Sequence, residues 1–161
     1  MRYPKTRPLL VALTACLLFA LLGSALVGGS IEDWYMRLEK PGFLVPLWVF
    51  YLVGAIYYVM GATVLYRILV HVEDRGARLV CLSMALGVLL ANELWNYAFF
   101  GLRSTLAGFV GIALFLVPLT ALIAGLYRHE RVSAWILSPY YAWVLYDLAW
   151  TYELWRLNGG A

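Results

Sequence analysis

The chain has 161 residues, of which 64% are hydrophobic, 16% aromatic and 13% charged, with a mean hydropathy of +0.80. A water-facing domain carries about a quarter charged residues, so polar surface is too scarce here for a cytosolic enzyme, a disordered chain or a disulfide-stapled secreted module. The net charge of +3 is scattered over short segments rather than gathered in a patch, which argues against nucleic acid as a partner.

The charges fall in clusters between long uncharged runs. Pro8 to Ile31, Pro41 to Tyr66 and Ser104 to Tyr127 carry none. Leu79 to Leu102 carries only Glu93, and Val132 to Tyr152 only Asp147. Each run reaches the roughly 20 residues that cross the hydrocarbon core. In lipid the backbone must satisfy its own hydrogen bonds, which favours helices. The short alternating segments of a β-barrel do not occur. The expectation is an all-α integral membrane protein: one domain over 1–161, a five-transmembrane-helix bundle with helices at about 8–29, 43–66, 79–102, 105–127 and 132–154.

The first run begins with a basic stretch and ends in small residues at Ser24 and Ala25, a pattern shared with signal peptides. It continues uncharged to Ile31, however, which is long for such a segment. It therefore reads as the first span. The following loop, Ser30 to Lys40, mixes Glu32, Asp33, Arg37 and Glu39 with Trp34 and Tyr35, as expected at the membrane interface. Pro41 and Pro46 stiffen entry into the second span, with Pro46 near its first turn. The stretch Arg67 to Arg78 reads as a solvated turn, with His71 at the surface. Leu102–Ser104 and Arg128–Arg131 allow little more than a reversal, and His129 is also a surface residue. Pro118 and Pro139 lie inside the fourth and fifth spans, where each frees a carbonyl and favours a kink.

With the amino terminus inside, the inner segments hold Arg2, Lys5, Arg7, Arg67, Arg75, Arg78, Arg128 and Arg131, and the outer ones Arg37, Lys40, Arg103 and Arg156. The positive-inside rule then places the amino terminus inside and the carboxyl terminus outside. Cys16 and Cys81 lie within predicted helices and read as small buried hydrophobes, with no disulfide framework and no metal-ligand spacing. Small residues four apart (Ser24 and Gly28, Gly87 and Ala91, Ala121 and Gly125) suit close helix contacts in a tight bundle or a homodimer. General enrichment of membrane helices in Gly and Ala accounts for them equally well.

Seven Trp and twelve Tyr are a heavy load. Trp34, Trp48, Trp135 and Trp155 sit near predicted helix ends, where belts of aromatics collect at the headgroups. Trp95 and Trp143 lie deeper. On the third span Asn92, Trp95, Asn96 and Phe99 share a face by their spacing, and on the fifth so do Tyr140, Trp143, Asp147 and Trp150. Amides and carboxylates are costly in hydrocarbon unless turned inward, so both faces should look into the bundle. Two outcomes are compatible with this: a solid aromatic core, or an aromatic-walled chamber suited to a large, flat, mostly apolar ligand with polar edges. Glu93 and Asp147 admit three roles: a proton or cation relay, a ligand contact, or a neutral acid hydrogen-bonded to Asn92, Asn96 or a Tyr hydroxyl.

Several stretches resemble the TspO/MBR family, the translocator proteins also called tryptophan-rich sensory proteins. Trp34-Tyr35, Leu38, Lys40-Pro41, Pro46 and Trp48-Val49 are similar to its WY…L.KP…PP.WV stretch. Tyr58 and Met60-Gly61 are similar to its LY..MG, Asn92, Trp95 and Phe99-Phe100-Gly101 to its N..W…FFG, and Pro139-Tyr140, Ala142-Trp143 and Trp155-Arg156 to its PY.AW block and tail. The match runs from about Trp34 to Arg156; the first helix matches only in character. The resemblance implies a five-helix bundle, often a homodimer, whose chamber takes porphyrins and, in some members, sterols or hydrophobic drugs. It places Trp95, Trp143, Tyr58, Asn92 and Phe99 at that chamber, and the Trp34–Pro41 loop over it.

There are departures. The double proline reads Val45-Pro46. A tryptophan usual near Gly54 is absent. The third-helix WTP or WPP reads Trp95-Asn96-Tyr97, and a Leu-Asn pair is replaced by Trp150-Thr151. The family motifs quoted above hold no counterpart of Glu93 or Asp147. Light-driven porphyrin degradation, tied to pocket tryptophans including the missing one, is not expected here. Leu148, Tyr152 and Arg156 fit a loose cholesterol-contact pattern.

The functional expectation is a membrane receptor or transporter binding a porphyrin- or sterol-like ligand. Trp95, Trp143, Tyr58, Asn92, Asn96, Phe99, Tyr140, Asp147, Glu93 and Trp34 form the candidate site. No catalytic group, metal site or obligatory cofactor is expected, a bound haem-like ligand aside. The rival expectations are a pigment- or porphyrin-modifying enzyme, and a proton-linked carrier using Glu93 and Asp147.

Overall fold

The computed structural model describes residues 6–159. Arg2 and Lys5, counted above among the inner charges, lie outside the described residues. Five long helices form the bundle: α1 (Thr6–Val27), α3 (Leu47–His71), α4 (Arg75–Asn96), α5 (Thr105–His129) and α6 (Arg131–Leu157). A single turn, α2 (Ser30–Asp33), and a tighter turn at Tyr35–Arg37 sit in the long connection after α1. No strand occurs among the described residues. α1, α3, α4 and α5 are long and apolar enough to cross a membrane by length and composition. α6 has the length, and carries Asp147 and Glu153 among its aromatics. Around the bundle the helices follow the order α1, α3, α6, α5, α4 and back to α1, with α3 also touching α4.

The helix ends have local causes. α1 stops at Gly28, whose φ of +52° is the left-handed conformation that glycine adopts without a Cβ penalty. The second span starts at Leu47 rather than near 43. Leu44 N–H closes a turn onto the Pro41 carbonyl at 3.0 Å, and Pro46, with ψ 148°, is still extended. α3 and α4 run well beyond the uncharged stretches, so the turn expected over Arg67–Arg78 shrinks to Val72–Asp74. Asp74 caps α4 by accepting the Ala77 N–H at 2.6 Å, and Ser104 caps α5 by accepting the Ala107 N–H at 3.2 Å. Charged residues mark where the hydrocarbon ends, and the helices continue past that level. Pro118 and Pro139 are both accommodated within uninterrupted helices.

The end of the bundle where α1 begins is solid. Ile68, Leu65 and Val64 of α3, Cys81 of α4, Leu119, Leu122 and Leu126 of α5, and Ala134 and Leu137 of α6 are all buried there. Both cysteines are free and buried. In lipid, helix association rests on packing rather than on escape from water. The close approaches are made by other glycines than the spacing suggested. A Cβ on Gly23 would overlap the Glu93 carboxylate, and one on Gly108 would overlap the Phe99 ring, whereas Gly87 and Gly28 have no such neighbour side chain.

The connection between α1 and α3 forms a roof over the opposite end. The Lys40 ammonium donates to the carbonyls of Tyr35, Met36 and Leu38 at 3.0–3.1 Å and sits 5.0 Å over the Tyr35 ring. Desolvation by this wrapping lowers its pKa. Two ties hold the roof to α6. The Tyr146 hydroxyl accepts the Val45 N–H at 2.9 Å and donates to the Phe43 carbonyl. Asn158 accepts the Glu39 N–H at 3.0 Å and donates to the Glu39 carbonyl at 2.9 Å.

Candidate functional site

Beneath the roof lies a cavity of about 500 Å³, within the range of small-molecule sites. Its wall is built from one end of α1 (Ser24, Val27, Gly28), the roof (Ile31, Tyr35), one face of α3 (Leu47, Phe50, Tyr51, Val53, Gly54, Tyr57, Tyr58), α4 (Asn92, Trp95, Asn96), Phe100, and α6 (Tyr140, Trp143, Asp147, Trp150). Of the two compatible outcomes for the third- and fifth-span faces, the structure adopts the chamber. Of the ten candidate residues, seven line it: Trp95, Trp143, Tyr58, Asn92, Asn96, Tyr140 and Asp147. Phe99, Glu93 and Trp34 do not.

The displacement of Phe99 has a backbone cause. α4 ends in a wide π-turn over Tyr97–Gly101, in which the Leu102 N–H bonds the Tyr97 carbonyl at 2.8 Å. Such a turn inserts one residue into the helical register. The position expected at Phe99 is therefore taken by Phe100. Phe99 turns away, fully buried against Gly108 and stacked on Trp95 at 5.7 Å. Trp34 packs edge-on to Phe99 at 5.3 Å, so it supports the wall from behind.

Glu93 sits one residue round the helix from Asn92 and is fully buried between α4, α3 and α1. It accepts hydrogen bonds from the Tyr58 hydroxyl (2.7 Å), Asn92 Nδ2 (3.1 Å) and Asn96 Nδ2 (3.0 Å). Asn92 Oδ1 in turn accepts from the Tyr140 hydroxyl at 3.2 Å. This network joins α3, α4 and α6 through groups that would otherwise be unpaired in lipid. Asp147 is different: it lines the cavity, and its Oδ1 accepts the Trp150 indole N–H at 2.7 Å.

The aromatic wall is an interlocked set. Phe50 packs edge-on to Trp143 (5.6 Å) and Trp150 (5.5 Å), and Tyr57 lies 4.6 Å from Tyr140. Trp95 donates its indole N–H to the Gly108 carbonyl at 2.9 Å, so it also fastens α4 to α5. Tyr57 is buried, and its hydroxyl has no hydrogen-bond partner among the described residues.

Sequence spacing overlooked the α3 contribution. Phe50, Gly54 and Tyr57 share a face at i, i+4 and i+7, but up to Ala62 α3 carries nothing more polar than tyrosine to mark which side looks inward. A Cβ on Gly54 would meet nothing within 4 Å, so the position where a tryptophan is missing adjoins open space. No cluster of three or more His, Cys, Asp or Glu suited to a metal occurs among the described residues.

Comparison with known proteins agrees with this architecture. The TspO/MBR family profile matches residues 12–156. The tryptophan-rich protein TspO of Archaeoglobus fulgidus is 30% identical over 151 residues, covering 93% of this chain and 96% of that protein. The human translocator protein is 30% identical over 142 residues, with 86% and 83% covered. The tryptophan-rich sensory protein of Cereibacter sphaeroides is 25% identical over 127 residues, with 79% and 78% covered. A profile match along nearly the whole described chain, on a five-helix membrane bundle, identifies this chain as a member of the TspO/MBR family.

Proposed function

We propose that the protein is a non-enzymatic membrane receptor or transporter that holds a flat, hydrophobic guest of the porphyrin or sterol class in the cavity beneath the roof. The observation that carries this reading is the cavity itself: about 500 Å³, walled by aromatics of α3, α4 and α6, with Asn92, Asn96 and Asp147 among its polar groups. A ring inserted there replaces lipid contact with stacking on Trp95, Trp143 and Trp150, and the amides satisfy its edge. In the same reading the protein works as a homodimer. The end of the bundle holding Arg7, Arg67, Arg75, Arg78, Arg128 and Arg131 faces inward, in keeping with the positive-inside rule.

Quenching of tryptophan fluorescence by a porphyrin tests the reading. Trp143→Ala removes a wall without touching a helix contact of the solid end, and is expected to weaken binding about tenfold or more, since buried aromatics dominate such sites. Equal affinity in variant and parent would remove the cavity from consideration. Trp95→Phe is a less clean probe, because it also deletes the hydrogen bond to Gly108.

A further inference from the structure

The cavity has an asymmetry of charge. None of its lining residues is Lys, Arg or His, yet Asp147 presents a carboxyl group to it from α6. An ionised carboxylate has about four acceptor sites, and the donors that face this one are two indole N–H groups, that of Trp150 at 2.7 Å and that of Trp143. The three ion pairs of the structure, Arg67–Glu130, Arg103–Asp33 and Arg156–Glu153, leave Asp147 without a cationic partner among the described residues. A second unused polar group lies in the same wall: the Tyr57 hydroxyl is buried with no partner among the described residues. Around them stand Trp143, Trp150, Phe50 and Tyr140, whose ring faces attract cations, most strongly where water is excluded.

We propose that the cavity selects, among flat hydrophobic guests, those that carry a protonated amine or an equivalent N–H donor on the edge facing α6, and discriminates against guests with a carboxylate there. This inference rests on the reading of the cavity as a ligand site. The ammonium group supplies a further donor and the charge that Asp147 lacks. The aromatic box stabilises the cation. A guest carboxylate at this edge would instead face Asp147 across a medium that screens poorly, and like charges so placed repel strongly.

The test uses the full-length protein in a neutral detergent, with three probes that share one ring system: pyrenylmethylamine, pyrenylmethanol and pyrenecarboxylic acid. Binding is read by energy transfer from tryptophan to pyrene. The amine is expected to bind about tenfold or more tighter than the alcohol, in line with a charge-assisted hydrogen bond, and the acid weakest of the three. In Asp147→Asn the amine-to-alcohol ratio should fall below about threefold. Equal affinity of amine and alcohol in the unaltered protein would overturn the inference while leaving the ligand site standing, and that comparison needs no variant to fold. A preference that survives Asp147→Asn would also overturn it. If none of the three probes binds, the ligand site itself fails.

Discussion

The two ends of the bundle are built from different materials. The end where α1 begins is aliphatic and solid, with Ile68, Leu119, Leu126 and Ala134 sealed completely. The roofed end is aromatic and hollow. At the solid end leucine and isoleucine interdigitate to close packing. At the roofed end Phe50 stands edge-on to Trp143 and Trp150, and all three line the cavity. The solid end holds the helices in register, which allows the hollow end to stay open.

The contrast breaks most visibly at a solid position. Leu119→Ala is expected to cost about 3 kcal/mol, the sum of lost contacts and a new void. Val53→Ala, at the cavity wall, should cost less than about 1 kcal/mol, because it borders space that already exists. Unfolding midpoints in detergent check the pair; equal losses would mean that the two ends are packed alike.

An intermediate effect belongs to the ion pair that closes the solid end. Glu130 accepts from Arg67 Nε (3.1 Å) and Nη2 (2.8 Å) and caps α6 by accepting the Ser133 N–H at 2.6 Å. The Arg67 hydrogen bonds, followed by those from Ser133, hold its carboxyl at about 2 against an ordinary 4.5. A carboxyl depressed on folding stabilises the folded state above its unfolded value and loses that contribution as pH falls through its folded one. The contribution is therefore complete above pH 4.5 and disappears toward pH 2. Glu130→Gln should lower stability by about 1–2 kcal/mol at neutral pH and flatten the acid limb of the midpoint-against-pH curve. An unchanged acid limb would separate the ion pair from the acid response. The roof, tied to α6 by the uncharged Asn158 and Tyr146, is expected to add no such dependence.

The smallest effect on stability sharpens the comparison from the hollow side. Gly54→Trp should shift stability by no more than about 0.5 kcal/mol, since open space adjoins that position. The indole restores the tryptophan usual at this place in the family and adds a ring to the cavity wall, so porphyrin quenching should persist while the melting temperature holds. A melting temperature that drops sharply would show that the space is not available.

Part of the site was readable from spacing. On α4 and α6, polar residues among aromatics marked the inward face, and Asn92, Trp95, Asn96, Tyr140, Trp143 and Asp147 do meet at the cavity. Phe99 lies outside the cavity because a π-turn shifts the register by one residue, and no residue type announces that turn. Glu93 lies outside it because one helical step separates the cavity from the α3–α4 interface. Phe50, Gly54 and Tyr57 were silent because the stretch of α3 before Thr63 carries nothing more polar than tyrosine to distinguish its sides.

Helix number, membrane embedding and family membership were determined by the sequence alone, because uncharged runs of sufficient length have one stable form in lipid and motif order survives divergence. Helix ends, the roof's ties to Tyr146 and Asn158, and the split between a closed Glu93 network and an Asp147 facing open space were decided by tertiary structure. These depend on which surfaces meet, and contacts between residues as distant as Val45 and Tyr146 leave no periodic trace in the chain.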